Sequence, residues 1–143
     1  MSNRTRLVLG LSGLIAAAAF ATSATAARKT ADNRVFELRT YVTHPGRLDA
    51  LNKRFRDHTT ALFKKHGMEN IGYWTPHEEK DGKADTLVYM LAHSSREAAK
   101  KSWAAFGADP DWIKARDASE KDGKIVMKVT SVFMDPTDYS AIK

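Results

Sequence analysis

Cysteine is absent from all 143 residues. That excludes disulfides, thiol catalysis and a cysteine-linked lipid anchor, and leaves packing alone to hold the fold. A glycine-rich phosphate loop, a G-x-S-x-G elbow and a Walker pattern are missing too. His44, His66, His77 and His93 fall at predicted loop or helix ends without H-x-x-x-H or H-E-x-x-H spacing, so no metal site and no cofactor are expected. The formal charge is +6, but Lys and Arg are spread among acids and are not interleaved with base-stacking aromatics. Nucleic acid is therefore not an expected partner. The longest apolar run, residues 7–21, is short and broken by Gly10, Ser12 and Gly13, so no stable membrane insertion of the mature domain is expected.

What that run does offer is a leader. Arg4 and Arg6 precede it and Ala24-Thr25-Ala26 follows it, the pattern of a secretory signal peptide cut before Ala27. The reading is residues 1–26 as signal peptide, 27–34 as a polar, flexible lead-in, and 35–143 as one domain. The mature chain is then periplasmic or secreted.

Residues 35–42, "VFELRTYV", alternate. Phe36, Leu38, Thr40 and Val42 form one face and Val35, Glu37, Arg39 and Tyr41 the other. After the Pro45-Gly46 turn, Leu48, Leu51, Phe55, Thr59, Leu62 and His66 mark a helix that Gly67 stops. Residues 68–75 and 86–92 read as strands flanking a polar hairpin loop. Ser94 and Glu97 read as a capping box opening a helix with Ala99, Trp103 and Phe106 inward. Asp109 and Pro110 open another with Trp112 and Ala115 inward, and residues 125–134 make a last strand. Strand, helix, strand, strand, helix pair, strand predicts an α+β fold: a ferredoxin-like four-stranded antiparallel sheet with helices on one face.

The third and fourth strands are apolar on both faces, so the sheet needs cover on its second side. A second copy laid sheet to sheet, a dimeric α+β barrel, supplies it. On that reading Glu37, Arg39 and Tyr41 point into the space between two sheets. There Arg39 would pair an anionic ligand group and Tyr41 would give a hydrogen bond and a ring wall; the alternative is a structural ion pair. His58, beside the apolar stripe of the first helix, is a candidate general base or axial ligand, weighed against a satisfied core histidine. Either Tyr73 or Trp74 faces the cavity, since neighbours on a strand point oppositely. Tyr89 is a further candidate lining residue on either face.

"FELRTY" with "HPGR", then "GYW", "DPDWIKAR" and "MDPTDYSAI" resemble the NIPSNAP family in order and spacing, over about residues 35–142. The resemblance implies a dimeric α+β barrel and brings no agreed reaction or catalytic set. Many members read L-W-A-Y on the third strand where this chain has Met90, Leu91, Ala92 and His93, so the large aromatic is missing at Leu91. The function expected is a homodimer binding a small, partly apolar ligand in the intersheet cavity. The alternatives are an enzyme like the cofactor-independent monooxygenases or haem-linked enzymes of similar barrels, and a structural module that engages another protein.

Overall fold

The computed structural model describes residues 34–143; the signal peptide and most of the lead-in expected from the sequence lie outside them. Strand β1 is Val35–Thr43, and a long helix α1 follows over residues 48–65. Next come β2 (Glu69–Trp74), a single 3-10 turn (Glu79–Asp81), β3 (Thr86–His93), α2 (Arg96–Ala108), α3 (Pro110–Ser119) and β4 (Val126–Met134). The strands form one antiparallel sheet in the order β2-β3-β1-β4. This is the α+β, ferredoxin-like arrangement the periodicities predict.

Helix α1 is not uniform. Leu48–Arg54 and Thr60–Lys65 are α-helical, and Phe55–Thr59 between them is a π turn. The backbone N–H of Thr60 donates to the Phe55 carbonyl, and the Thr59 hydroxyl donates to the Arg54 carbonyl at 3.2 Å. The sequence accounts for the wider turn. Leu51, Phe55, Thr59 and Phe63 recur every fourth residue, and in a regular α-helix each such step drifts about 40° from the buried face. The π turn takes up that drift, and all four side chains are buried. Buried Arg54, which the apolar stripe did not predict, donates to Ser119 Oγ and Glu120 Oε1 and lies over the Trp112 ring, fastening α3 to α1.

At the N-terminus of α2 the cap is Ser95, not Ser94: its hydroxyl accepts from the Ala98 N–H at 3.0 Å. The residue three positions on is Ala98, so the capping box read from Ser94 and Glu97 does not form. Asp109 caps α3 as expected, accepting from the Asp111 N–H with Pro110 at the first helical position. Hydrogen bonds from Lys65 and His66 hold the Asp109 carboxyl well below the usual carboxylate range. The same bonds tie the end of α1 to the α2–α3 junction.

The core is aromatic. Phe55 meets Phe63 and Tyr89 edge to face, Phe63 stacks on Tyr89 and tilts against Phe106, and Leu51, Leu91, Met68 and Ile125 fill between them. Tyr89 and Leu91 come from the helix-covered face of β3, and their register partners on β1 are Arg39 and Glu37. The opening face assignment therefore needs correction. Glu37, Arg39 and Tyr41 point under the helices of their own chain, not into a space between two sheets.

The other face carries Leu38, Thr40 and Val42 of β1, Val88 and Met90 of β3, Val132 of β4 and Trp74 of β2. Trp74 is 53% and Val132 49% exposed. Trp74 lies flat along its own strand, because a Cβ on Gly72 would come within 2.5 Å of the indole. The segment after β4 crosses one end of this face, where Phe36, Met90, Met134, Pro136 and Ile142 line a hollow of about 270 Å³.

Candidate functional site

A carboxylate in the middle of a buried strand face must collect donors, because an ion removed from water without partners is very costly. Glu37, 1% exposed, collects four. Arg39 Nη1 donates to Oε1 at 2.6 Å and Ser131 Oγ to the same oxygen at 2.7 Å. Trp103 Nε1 donates to Oε2 at 2.7 Å, and His93 Nε2 lies 3.0 Å from that oxygen. Burial acts to raise the Glu37 carboxyl, but the hydrogen bonds from His93, Ser131, Trp103 and Arg39 outweigh it and hold it down at about 2. An ionised Glu37 cannot donate, so Nε2 of His93 carries the proton in that bond.

The geometry follows from the sheet. His93 and Ser131 occupy inward positions on the two strands flanking β1, beside Glu37 and Arg39, and Trp103 reaches down from α2. Arg39 spans the row. Its Nη2 is 3.4 Å from the Tyr41 hydroxyl, and its guanidinium lies 4.2 Å from the centre of the Trp103 ring. Arg39 is thus committed to Glu37, the structural ion pair, and not held free for a ligand anion. Nε of Arg39, Nδ1 of His93 and the hydroxyl of Tyr89 are buried with no hydrogen-bond partner among the described residues.

Next to this network is a groove of about 560 Å³, lined by Trp103, Phe133, Arg96, Glu97 and Lys100 and open to solvent. Its volume suits a small organic ligand. Trp103 belongs to both groove and network, and Phe133 is the β4 register partner of Glu37. The Arg96 guanidinium sits 3.3 Å from the centre of the Phe133 ring, closing α2 against the edge of the sheet.

The remaining residues singled out by sequence are scattered. Tyr89 joins the core, with its hydroxyl pushed up in pKa by burial, and stacks on Tyr73 at 5.5 Å. Tyr73 faces the helices and donates to Asn70 Oδ1, while Trp74 takes the opposite, bare face. His58 is exposed on α1 and lines shallow grooves with Asp57, Ala115 and Ala118, away from the Glu37 network. It is neither a core histidine nor part of this site. Among the described residues no cluster of three metal-ligating side chains occurs, and no helix is long and apolar enough to cross a membrane.

The sequence pattern placed His93 at a predicted loop or helix end and Trp103 in the core, and assigned no site role to Ser131, Arg96 or Phe133. The available signal was Glu37 itself: an inward acid on a central strand requires donors at inward positions of its two neighbours.

Fold and site together define a ferredoxin-like α+β domain with a buried, fully hydrogen-bonded carboxylate beside an aromatic groove. The chain belongs to the NIPSNAP family, whose profile matches residues 36–141. A NIPSNAP family protein of unknown function from Agrobacterium tumefaciens is 24% identical, with a TM-score of 0.67 over 78% of this chain and 96% of that one. An uncharacterised NIPSNAP-like domain protein from Burkholderia xenovorans is 16% identical, with a TM-score of 0.65 over 76% and 90%. The fold is shared more distantly by SnoaB, a cofactor-independent oxygenase from Streptomyces nogalater, at 12% identity and a TM-score of 0.52 over 76% and 98%. No curated protein matches the sequence.

Proposed function

We propose that this protein is an exported homodimer that binds a small, partly apolar molecule in the groove between α2 and the edge of the sheet. The observation carrying the reading is the pairing of aromatic walls, Trp103 and Phe133, with a polar network that fixes one of them. A ligand-sized, partly apolar recess with preset polar groups is the usual form of a small-molecule site. This moves the ligand from the intersheet cavity expected from sequence to the helix side of the sheet. The bare face, with Trp74, Val88 and Val132, is left for the second copy, and residues 1–26 act as the leader removed on export. Native mass spectrometry of protein purified from its source tests the binding reading. A reproducible adduct that Phe133→Ala abolishes is expected, and an adduct-free wild type would count against it.

A second reading, an enzyme of the cofactor-independent oxygenase kind, is favoured by one observation. Glu37 and His93 form a buried carboxylate–imidazole pair, with Nε2 3.0 Å from Oε2 and Nδ1 without a hydrogen-bond partner among the described residues, the pairing that orients a general base. Oxygen uptake on addition of the native ligand, lost in His93→Gln, would promote it over simple binding.

A further inference from the structure

The charge of the groove says more about its occupant, given the binding reading above. Arg39 contributes no free cation, because Glu37 neutralises it at 2.6 Å. The rim differs. Arg96 and Lys100 stand one helical turn apart on α2, both exposed, and among the described residues neither makes an ion pair. Glu97 is the one acid lining the groove, so the rim carries an excess of a single positive charge. The rim lies in the first turns of the 13-residue helix α2, whose N-terminal dipole adds potential of the same sign.

We propose that the groove takes a planar aromatic monoanion, with its ring system against Trp103 and Phe133 and its acidic group at Arg96 and Lys100. The guanidinium stacked on Phe133 is already held over the ring, with its N–H edge available to an oxyanion. Lys100 supplies a second, mobile donor. Selectivity for one negative charge follows from Glu97, which opposes a dianion.

Two dyes of the same ring system separate charge from shape. Anilinonaphthalene sulfonate carries the anion, and phenylnaphthylamine lacks it. The expected result at low salt is that the sulfonate binds at least about tenfold more tightly. Arg96→Gln with Lys100→Gln should bring it down to the neutral dye's affinity, Arg96→Lys should restore most of the loss, and thermal melts should shift only slightly, by the loss of the Arg96–Phe133 contact. Equal binding of both dyes, or sulfonate binding that ignores the Arg96 and Lys100 changes, overturns the anion inference. If Phe133→Ala still weakens both dyes in that case, the groove reading itself survives. Binding of both dyes that Phe133→Ala leaves untouched overturns both.

Discussion

Along β1 the two faces of the sheet reverse the usual distribution of polarity. Under the helices lies a row of Glu, Arg and Tyr; on the bare side lies a row of Leu, Thr and Val flanked by Trp74, Val88 and Met90. The charged row is inside because its charges are matched by fixed donors from β3, β4 and α2. The apolar row is outside because, among the described residues, only the segment after β4 crosses it, and only at one end. Polarity along a strand therefore reports whether partners exist, and only indirectly which way the strand faces.

The sharpest way to break this contrast is Glu37→Ala. It leaves Arg39 buried beside Trp103 with no counter-charge, and should cost about 3–5 kcal/mol in urea unfolding. Loss of under about 1 kcal/mol would mean the row is hydrated and the two faces are not so different.

Acid should unpick the covered face next. The folded Glu37 carboxyl lies at about 2 against an ordinary 4.5. Its folded value is the lower one, so its contribution is complete above 4.5 and lost as pH falls from there toward 2. The linked stability is about 3 kcal/mol. Urea midpoints across that window in wild type and Glu37→Gln isolate it: the wild type should fall more steeply, and parallel curves would reject the assignment.

Smaller still is Tyr73→Phe, which keeps the ring stacked on Tyr89 and removes only the hydroxyl that donates to Asn70. A loss of about 0.5–1.5 kcal/mol is expected. The same melts should register almost nothing for Val132→Asp, within about 0.5 kcal/mol for the monomer, since that side chain is half exposed on the bare face. Its effect should appear in light scattering instead, as dissociation of the proposed dimer. A wild type that is already monomeric at micromolar concentration would leave the bare face without its partner.

The elements themselves were legible because each is a local pattern: alternation in β1, three- and four-residue steps in α1, Asp109-Pro110 opening α3. Which face of β1 met the helices was not, because β3 offers Leu87, Tyr89 and Leu91 on one side and Val88, Met90 and Ala92 on the other, and either set would make a core. The Glu37 network was illegible for a different reason. His93, Trp103 and Ser131 lie 56, 66 and 94 residues further along the chain, and only strand register together with the packing of α2 brings them to one carboxylate. Whether Arg39 served a ligand or a structural ion pair was open in the sequence for the same reason: Glu37 sits two residues away on the same strand, but the donors that make it a permanent anion do not.

The π turn in α1 bears on how the chain tolerates gain and loss of residues. A π turn is a regular helix with one residue inserted, so Phe55–Thr59 is where this helix has room to become shorter. Deleting one residue there would restore unbroken α geometry and leave everything downstream facing the sheet as it does now, because the wider turn is what absorbs the extra residue. Phe63 would keep its place against Trp103, which it meets edge-on at 5.3 Å. A relative whose alignment shows a one-residue gap at this turn should therefore keep an aromatic residue at the Trp103 position, and with it the same wall of the groove.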